Sequence, residues 1–254
     1  MTPLRYVELE AGFGCYVPQS TSGDTAEIGF IHDEIFRDNC YLRDGITLHD
    51  DAVVVDAGAN VGLFSLFVKT RYPRARVLAI EPMPATYAAL EANLARPGCD
   101  GVTPLRAALG ARAEGEVAFT YFEDVPGNST RYPELKADVG RLPGTAAERE
   151  YRERIFATAH EVRMPVEPLS AVLARTGFTG AVDLLKIDVE GAEADVLAGI
   201  DDADWPRVRQ VVLETQHDGP RIRDLLAARG FTVTAERPGG VLAGLGTETV
   251  RAWR

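Results

Sequence analysis

The stretch Ala52-Val53-Val54-Val55-Asp56-Ala57-Gly58-Ala59-Asn60-Val61-Gly62-Leu63-Phe64 decides how this chain folds. Its opening apolar run shows no alternation, as expected of a parallel strand covered on both faces. Small residues from Ala57 to Asn60 then turn the chain sharply. Val61, Leu63, Phe64, Leu66, Phe67 and Val68 follow as a dense helical run that Pro73 stops. A strand that turns this tightly into a helix lets a ligand approach the backbone and meet the helix's positive end.

Outward from that unit the same rhythm repeats. Arg76 to Ile80 reads as a second strand ending at Glu81-Pro82, Ala85 to Ala95 as a helix, Val102 to Leu105 as a strand and Glu116 to Phe122 as a β-rich piece. Further on, Pro168 to Ala174 reads as a helix, Val182 to Asp188 as a strand, Ala192 to Ile200 as a helix and Val208 to Glu214 as a strand. Pro220 to Arg229 is a helix stopped by Gly230, and Phe231 to Ala235 and Glu248 to Trp253 are closing strands. Strand and helix in alternation predict an α/β fold: a Rossmann-like, doubly wound, mostly parallel sheet with right-handed crossovers. We divide the chain into an N-terminal cap, residues 1–50, and one domain, residues 51–254. Residues 123–160 break the rhythm with Pro126, Gly127, Pro133, Gly140, Pro143 and Gly144 before a charged helical stretch over 146–155. A loop of this length inside a compact domain reads as a lid insertion.

The turn is not a dinucleotide fingerprint, because Asn60 stands where the second glycine of G-x-G-x-x-G gives a pyrophosphate room. An amino-acid carboxylate needs less space, and Asp56 at the strand end offers an acceptor for an ammonium group. Glu81 lies 25 residues beyond Asp56, at the end of the next strand, where a carboxylate reaches ribose hydroxyls and rejects a 2′-phosphate. Together these residues favour a ligand made of an amino acid joined to a nucleoside. An NAD-dependent oxidoreductase shares the strand, turn and acidic-residue logic and is the first alternative. A non-catalytic module that keeps the fold to bind a partner is the second.

Composition narrows the partners. With 27 Lys+Arg against 38 Asp+Glu, the net charge of −11 leaves no basic surface for bulk nucleic acid or an anionic membrane. Cys15, Cys40 and Cys99 are scattered and odd in number, which fits neither a disulfide framework nor a zinc site. No apolar run is long enough to span a membrane, and the start of the chain carries no secretory signal. We therefore expect a cytoplasmic protein.

Two segments are more specific. Val54-Val55-Asp56-Ala57-Gly58-Ala59-Asn60-Val61-Gly62 and Leu185-Lys186-Ile187-Asp188-Val189-Glu190-Gly191-Ala192-Glu193 resemble the two signatures of the FkbM family of S-adenosylmethionine-dependent methyltransferases. Val211-Val212-Leu213-Glu214-Thr215-Gln216-His217 resembles that family's third marker, a strand ending in a carboxylate followed closely by histidine. Here two residues rather than one separate the carboxylate from His217, which shifts the imidazole. The run from Glu34-Ile35-Phe36 through Tyr41 to Gly45 resembles O-methyltransferase domains of polyketide and peptide assembly lines.

The resemblance implies a seven-stranded class I methyltransferase sheet and S-adenosyl-L-methionine as cofactor, with S-adenosyl-L-homocysteine as product. It further implies a hydroxyl acceptor on a small or carrier-bound natural-product intermediate. Cofactor contacts then fall to Asp56, Gly58, Ala59, Asn60, Gly62, Glu81, Pro82, Met83 and Asp188. Methylating a hydroxyl also needs a base, and His217 is the first candidate, because an imidazole with a reference pKa of ~6.5 accepts a proton at neutral pH. Asp188 and Glu214, at the ends of later strands, complete the catalytic set. Asp188, Glu214 and His217 also offer ligands for Mg²⁺ or Mn²⁺, but a metal-free site is the reading adopted. Glu190 and Glu193 read as helix-terminal charges, and Lys186 as the buried half of an ion pair. Asn128-Ser129-Thr130 reads either as a contact to the acceptor or as a polar turn.

Overall fold

The computed structural model describes residues 3–20, 22–136, 145–237 and 247–254. The chain begins with a hairpin, β1 (Leu4–Glu10) and β2 (Phe13–Pro18), followed by α1 (Ala26–His32) and a π-helical turn, Asp33–Arg37. The core then starts with β3 (Val53–Ala57), α2 (Leu63–Arg71), β4 (Arg76–Ile80), α3 (Pro84–Leu94) and β5 (Val102–Leu105). Next come β6 (Ala108–Gly110), β7 (Glu114–Phe122), α4 (Ala146–Phe156), β8 (Ala159–Pro168) and α5 (Leu169–Thr176). The chain closes with β9 (Leu184–Ile187), α6 (Glu193–Ala198), β10 (Gln210–Thr215), α7 (Gly219–Ala228), β11 (Thr232–Glu236) and β12 (Glu248–Trp253).

Seven strands form the central sheet in the order β11-β12-β10-β9-β3-β4-β5. Pairing is parallel from β10 through β5, and β12 runs antiparallel between β10 and β11. The expected α/β architecture, a mostly parallel doubly wound sheet, is therefore the observed one. The order reverses at β3, so the crevice beside the carboxyl ends of β3 and β9 is the switch point at which such sheets take ligands.

Strand alternation explains why both faces are covered. Val55, Ala57, Leu185, Ile187, Val211 and Leu213 point into a core with Leu173, Val196, Leu197 and Leu226 from α5, α6 and α7. Val54, Leu184 and Val212 point the other way, onto Leu63, Phe64 and Phe67 of α2 and onto Ile28, Ile35 and Tyr41 of the N-terminal segment. That segment is thus packed on the sheet face that carries the even-numbered positions 54, 184 and 212.

The rhythm read from the sequence missed several elements. The hairpin β1–β2, helix α1 and the short strand β6 went unread, and β8 starts at Ala159, within the stretch taken as a lid. The strand β8 joins β6 and β7 in a separate three-stranded sheet. Its alternation of charged with apolar residues is ordinary for a strand with one solvated face. The glycine- and proline-rich part of the lid reading, residues 137–144, lies outside the described residues. No described helix is long and apolar enough to cross a membrane.

Candidate active site

Two adjoining cavities open at the switch point. The first is lined by Asn60, Glu81, Pro82, Met83, Ala108 and Phe119 among others. The second is lined by Phe30, Glu34, Tyr41, Lys186 and Glu214 among others. Gly58, Asn60, Gly127, Asp188 and Glu190 line both, so the two are halves of one cleft.

The turn after β3 is shaped by backbone demands. Gly58 has φ +78°, and a Cβ there would stand 1.7 Å from the Asp188 carbonyl oxygen. No side chain fits where β3 and β9 converge. Asn60 adopts φ +50°, a left-handed conformation that asparagine tolerates better than most residues. Its Oδ1 accepts from Val61 N at 2.8 Å. Gly62 has φ +93°, a backbone conformation that favours glycine, and a Cβ there would also press on Leu90 Cδ1 of α3 at 2.7 Å.

Glu81 sits just beyond β4, with Oε2 accepting from Asn60 N at 3.0 Å and Oε1 from Met83 N at 2.9 Å. Each oxygen keeps a lone pair for a further donor such as a sugar hydroxyl. Burial pushes its pKa up to about 7, against the pull of those two backbone donors.

Asp56 does not face the cleft as the sequence suggested. Its carboxylate is fully buried under the turn. There Oδ2 accepts from Ser65 Oγ at 2.8 Å, and Oδ1 lies 3.2 Å from Lys186 Nζ. The ammonium that answers Asp56 is the protein's own. Lys186 also donates to Gly58 O at 2.7 Å and stands 3.6 Å from Asp188 Oδ2. Burial alone would lower the Lys186 pKa, but the charges of Asp56 and Asp188 more than offset it, and the net shift is upward.

The expected catalytic set divides. Asp188 and Glu214 line the second half of the cleft, whereas His217 is exposed and lines a third cavity with Tyr132, Asp195 and Arg221. The trio proposed as an alternative metal set is therefore not brought together. Among the described residues no three His, Cys, Asp or Glu side chains are grouped to hold a metal ion. Glu193 accepts from Gly191 N and Val189 N and acts as a local cap. Glu190 does more than a helix-terminal charge: it lines both halves, has φ +56° and is ion-paired with Lys136. The side chains of Asn128, Ser129 and Thr130 bond internally, to Glu27, Phe122 N and Glu190 O.

One group of site residues went unread. Glu27, Phe30, Ile31, Glu34 and Ile35 all line the second half. Their i, i+3, i+4, i+7, i+8 spacing is one helical face. The spacing is legible in the sequence, but a face with two glutamates does not register as a core stripe. Glu27 reaches across the cleft, accepting from Gly127 N at 3.3 Å and Asn128 Nδ2 at 3.1 Å. Burial lifts its pKa to about 8, and burial with the Asp188 charge lifts that of Glu34 to about 7. Glu214 is raised well above the usual range by burial and by repulsion from Asp188, Glu190 and Glu34.

This crevice, beneath a sheet of order β11-β12-β10-β9-β3-β4-β5, belongs to the class I methyltransferase fold. A solved structure of that fold, M. jannaschii TYW2 in complex with AdoMet, aligns with a TM-score of 0.50 at 12% identity, over 99% of this chain and 86% of that one. Residues 56–233 match the methyltransferase FkbM domain. The chain is 36% identical over 241 residues to Methyltransferase 1 of Beauveria bassiana, covering 94% of this chain and 93% of that one. It is 40% identical over 225 residues to the 31-O-demethyl-FK506 methyltransferase FkbM of Streptomyces tacrolimicus, covering 84% and 85%. The protein belongs to the FkbM methyltransferase family.

The raised carboxyls make a pH prediction. Glu27, Glu34 and Glu81 hold their protons up to about 7 or 8 in the folded chain, while an unfolded glutamate releases its proton near 4.5. Between those values the folded state binds more protons, so stability falls as pH rises. The carboxylates whose pKa is lowered, Asp51, Glu114 and Glu236, act only below that window. Calorimetric melting of the unliganded protein should give a transition temperature that declines from about pH 5 to about pH 8. A rise over that range would contradict the electrostatics of the cleft.

Proposed function

We propose that the protein transfers a methyl group from S-adenosyl-L-methionine to a hydroxyl of a small or carrier-bound natural-product intermediate. The observation that carries the reading is the acidic lining of the cleft. Glu27, Glu34, Glu81, Asp188, Glu190 and Glu214 line it, and Lys186, already committed to Asp56, is the one cation among its described lining residues. Such a wall offers a pyrophosphate no free cation among those residues, whereas a phosphate-free nucleoside that carries a cation draws its raised carboxyls toward ionisation; this disfavours the dinucleotide alternative.

The residues present fit that cofactor. Glu81 offers acceptors to the ribose, and Pro82, Met83, Ala108 and Phe119 form an apolar slot for the base. Gly58, Ala59 and Asn60 bring backbone close to the amino-acid end, beside Asp188. When bound, S-adenosyl-L-methionine supplies an already activated methyl group.

What remains for the protein is alignment and proton removal. Holding the acceptor oxygen in line can account for ~7–11 kcal/mol of barrier. The apolar face of Phe30, Ile31 and Ile35, with Phe64 opposite, is suited to hold the acceptor's body. Glu214 is the base we favour over His217, because it lines the same half of the cleft as that face. An approaching cation draws its raised pKa down, so its carboxylate becomes competent to take the hydroxyl proton. Hydroxyl methylation is further supported by the Streptomyces relative, whose name gives 31-O-demethyl-FK506 as the compound it methylates. We propose a cytoplasmic setting and no resident metal.

The reading is tested by thermal shift with S-adenosyl-L-homocysteine and with NAD⁺. At ~100 times its Kd a ligand stabilises the native state by ~2.7 kcal/mol. The homocysteine compound should raise the melting temperature by several degrees and NAD⁺ should not; the reverse would replace the methyltransferase chemistry by hydride transfer. Once an acceptor is found by methyl transfer from labelled cofactor, Glu214→Gln should lower turnover by ~10²-fold or more. His217→Ala should leave it within about threefold, since a group outside the cleft makes no acid–base contribution. The opposite pattern would return the base to His217.

A further inference from the structure

Asp188, with Glu190, is one of two carboxylates common to both halves of the cleft, and it takes a hydrogen bond from a residue outside the core sheet. Tyr41 follows the π-helical turn, is 7% exposed, and packs edge-on against Phe64 with ring centroids 5.1 Å apart. Its hydroxyl donates to Asp188 Oδ2 at 2.9 Å. Lys186 Nζ approaches the same oxygen at 3.6 Å and lies 5.4 Å from the centre of the Tyr41 ring. Both partners thus hold Oδ2, and among the described residues no hydrogen bond is made to Oδ1. Burial, and then the Asp188 charge, keep the phenol pKa far above neutrality, so Tyr41 remains a donor.

We propose that Tyr41 is a positioning residue: it fixes the Asp188 carboxylate on Oδ2 so that Oδ1 is presented to the ligand where the two halves of the cleft meet. The inference rests on the cofactor reading above. It also links the N-terminal segment to cofactor binding, because the segment that supplies the acceptor-side face, Glu27 to Ile35, leads directly into Tyr41. A carboxylate held on one oxygen by a neutral donor, with a cation beside it, is preoriented and loses less freedom when a ligand arrives. Without the phenol, Lys186 alone, shared with Asp56 and Gly58 O, would hold it.

The test is a double-mutant cycle read by calorimetric titration with S-adenosyl-L-homocysteine. Tyr41→Phe keeps the ring on Phe64 and removes only the donor. It should weaken binding by roughly tenfold, equivalent to about 1.4 kcal/mol, without a matching loss of melting temperature. Asp188→Asn should weaken binding at least as much, and the double variant should bind like Asp188→Asn alone, because Tyr41 acts through that carboxylate. The proposal is overturned if Tyr41→Phe binds like wild type, if Asp188→Asn does, or if the Tyr41→Phe penalty persists undiminished in the Asp188→Asn background. A wild-type protein that fails to bind S-adenosyl-L-homocysteine overturns the cofactor reading itself, and this proposal with it. Normal wild-type binding with additive variants overturns only the role of Tyr41.

Discussion

The site depends on one buried ion pair. Asp56 and Lys186 face each other as register partners on the adjacent parallel strands β3 and β9, and both are almost wholly removed from water. Neither charge would be tolerated there alone, since an isolated ion in an apolar interior costs many kcal/mol. Paired, they carry the geometry above them. The lysine that answers Asp56 also binds Gly58 O, fixing the turn, and stands beside Asp188, fixing the end of β9. Gly58 in turn lets the two strand ends approach so closely that a methyl group between them would overlap the Asp188 carbonyl. The interaction is a structural device that shapes the cleft from beneath the turn.

Above this pair the cleft gathers carboxylates that burial and mutual repulsion keep partly protonated. That condition is costly for the unliganded protein and is relieved by a cation. The cleft of this protein is therefore electrostatically disposed to accept a cation. The same repulsion that raises the Glu214 pKa makes its proton affinity responsive to what enters the cleft. In the proposed reading, binding of a cation and the readiness of Glu214 as a base are coupled through charge.

Much of this was legible in the sequence, for identifiable reasons. The unalternating run before Asp56 and the small residues after it gave the central strand, the turn and the α/β class. Glu81 could be placed because a strand end is a fixed position in such sheets. Lys186 read as half of an ion pair because a lysine inside an apolar strand has few other options. The direction of Asp56 was not legible, since its partner lies 130 residues away and only the register of β3 with β9 brings them together. Parity separates the later candidates. Positions 186 and 214 continue the alternation of Leu184 and Val212 toward the N-terminal segment, whereas Thr215 and His217 open onto the third cavity. The helical face that lines the second half of the cleft escaped notice because it mixes glutamates with apolar residues, which a core stripe does not.

The measurement that bears most directly on this account is a cycle of Asp56→Asn, Lys186→Met and the double variant, each followed by denaturant unfolding. Removing one member of a buried pair should cost ~3–5 kcal/mol, because the other is left charged and unanswered. The double variant should cost clearly less than the sum of the two, with a coupling energy of ~2 kcal/mol or more. Strictly additive losses would mean that the two charges do not depend on each other, and the ion pair could not be the foundation of the site.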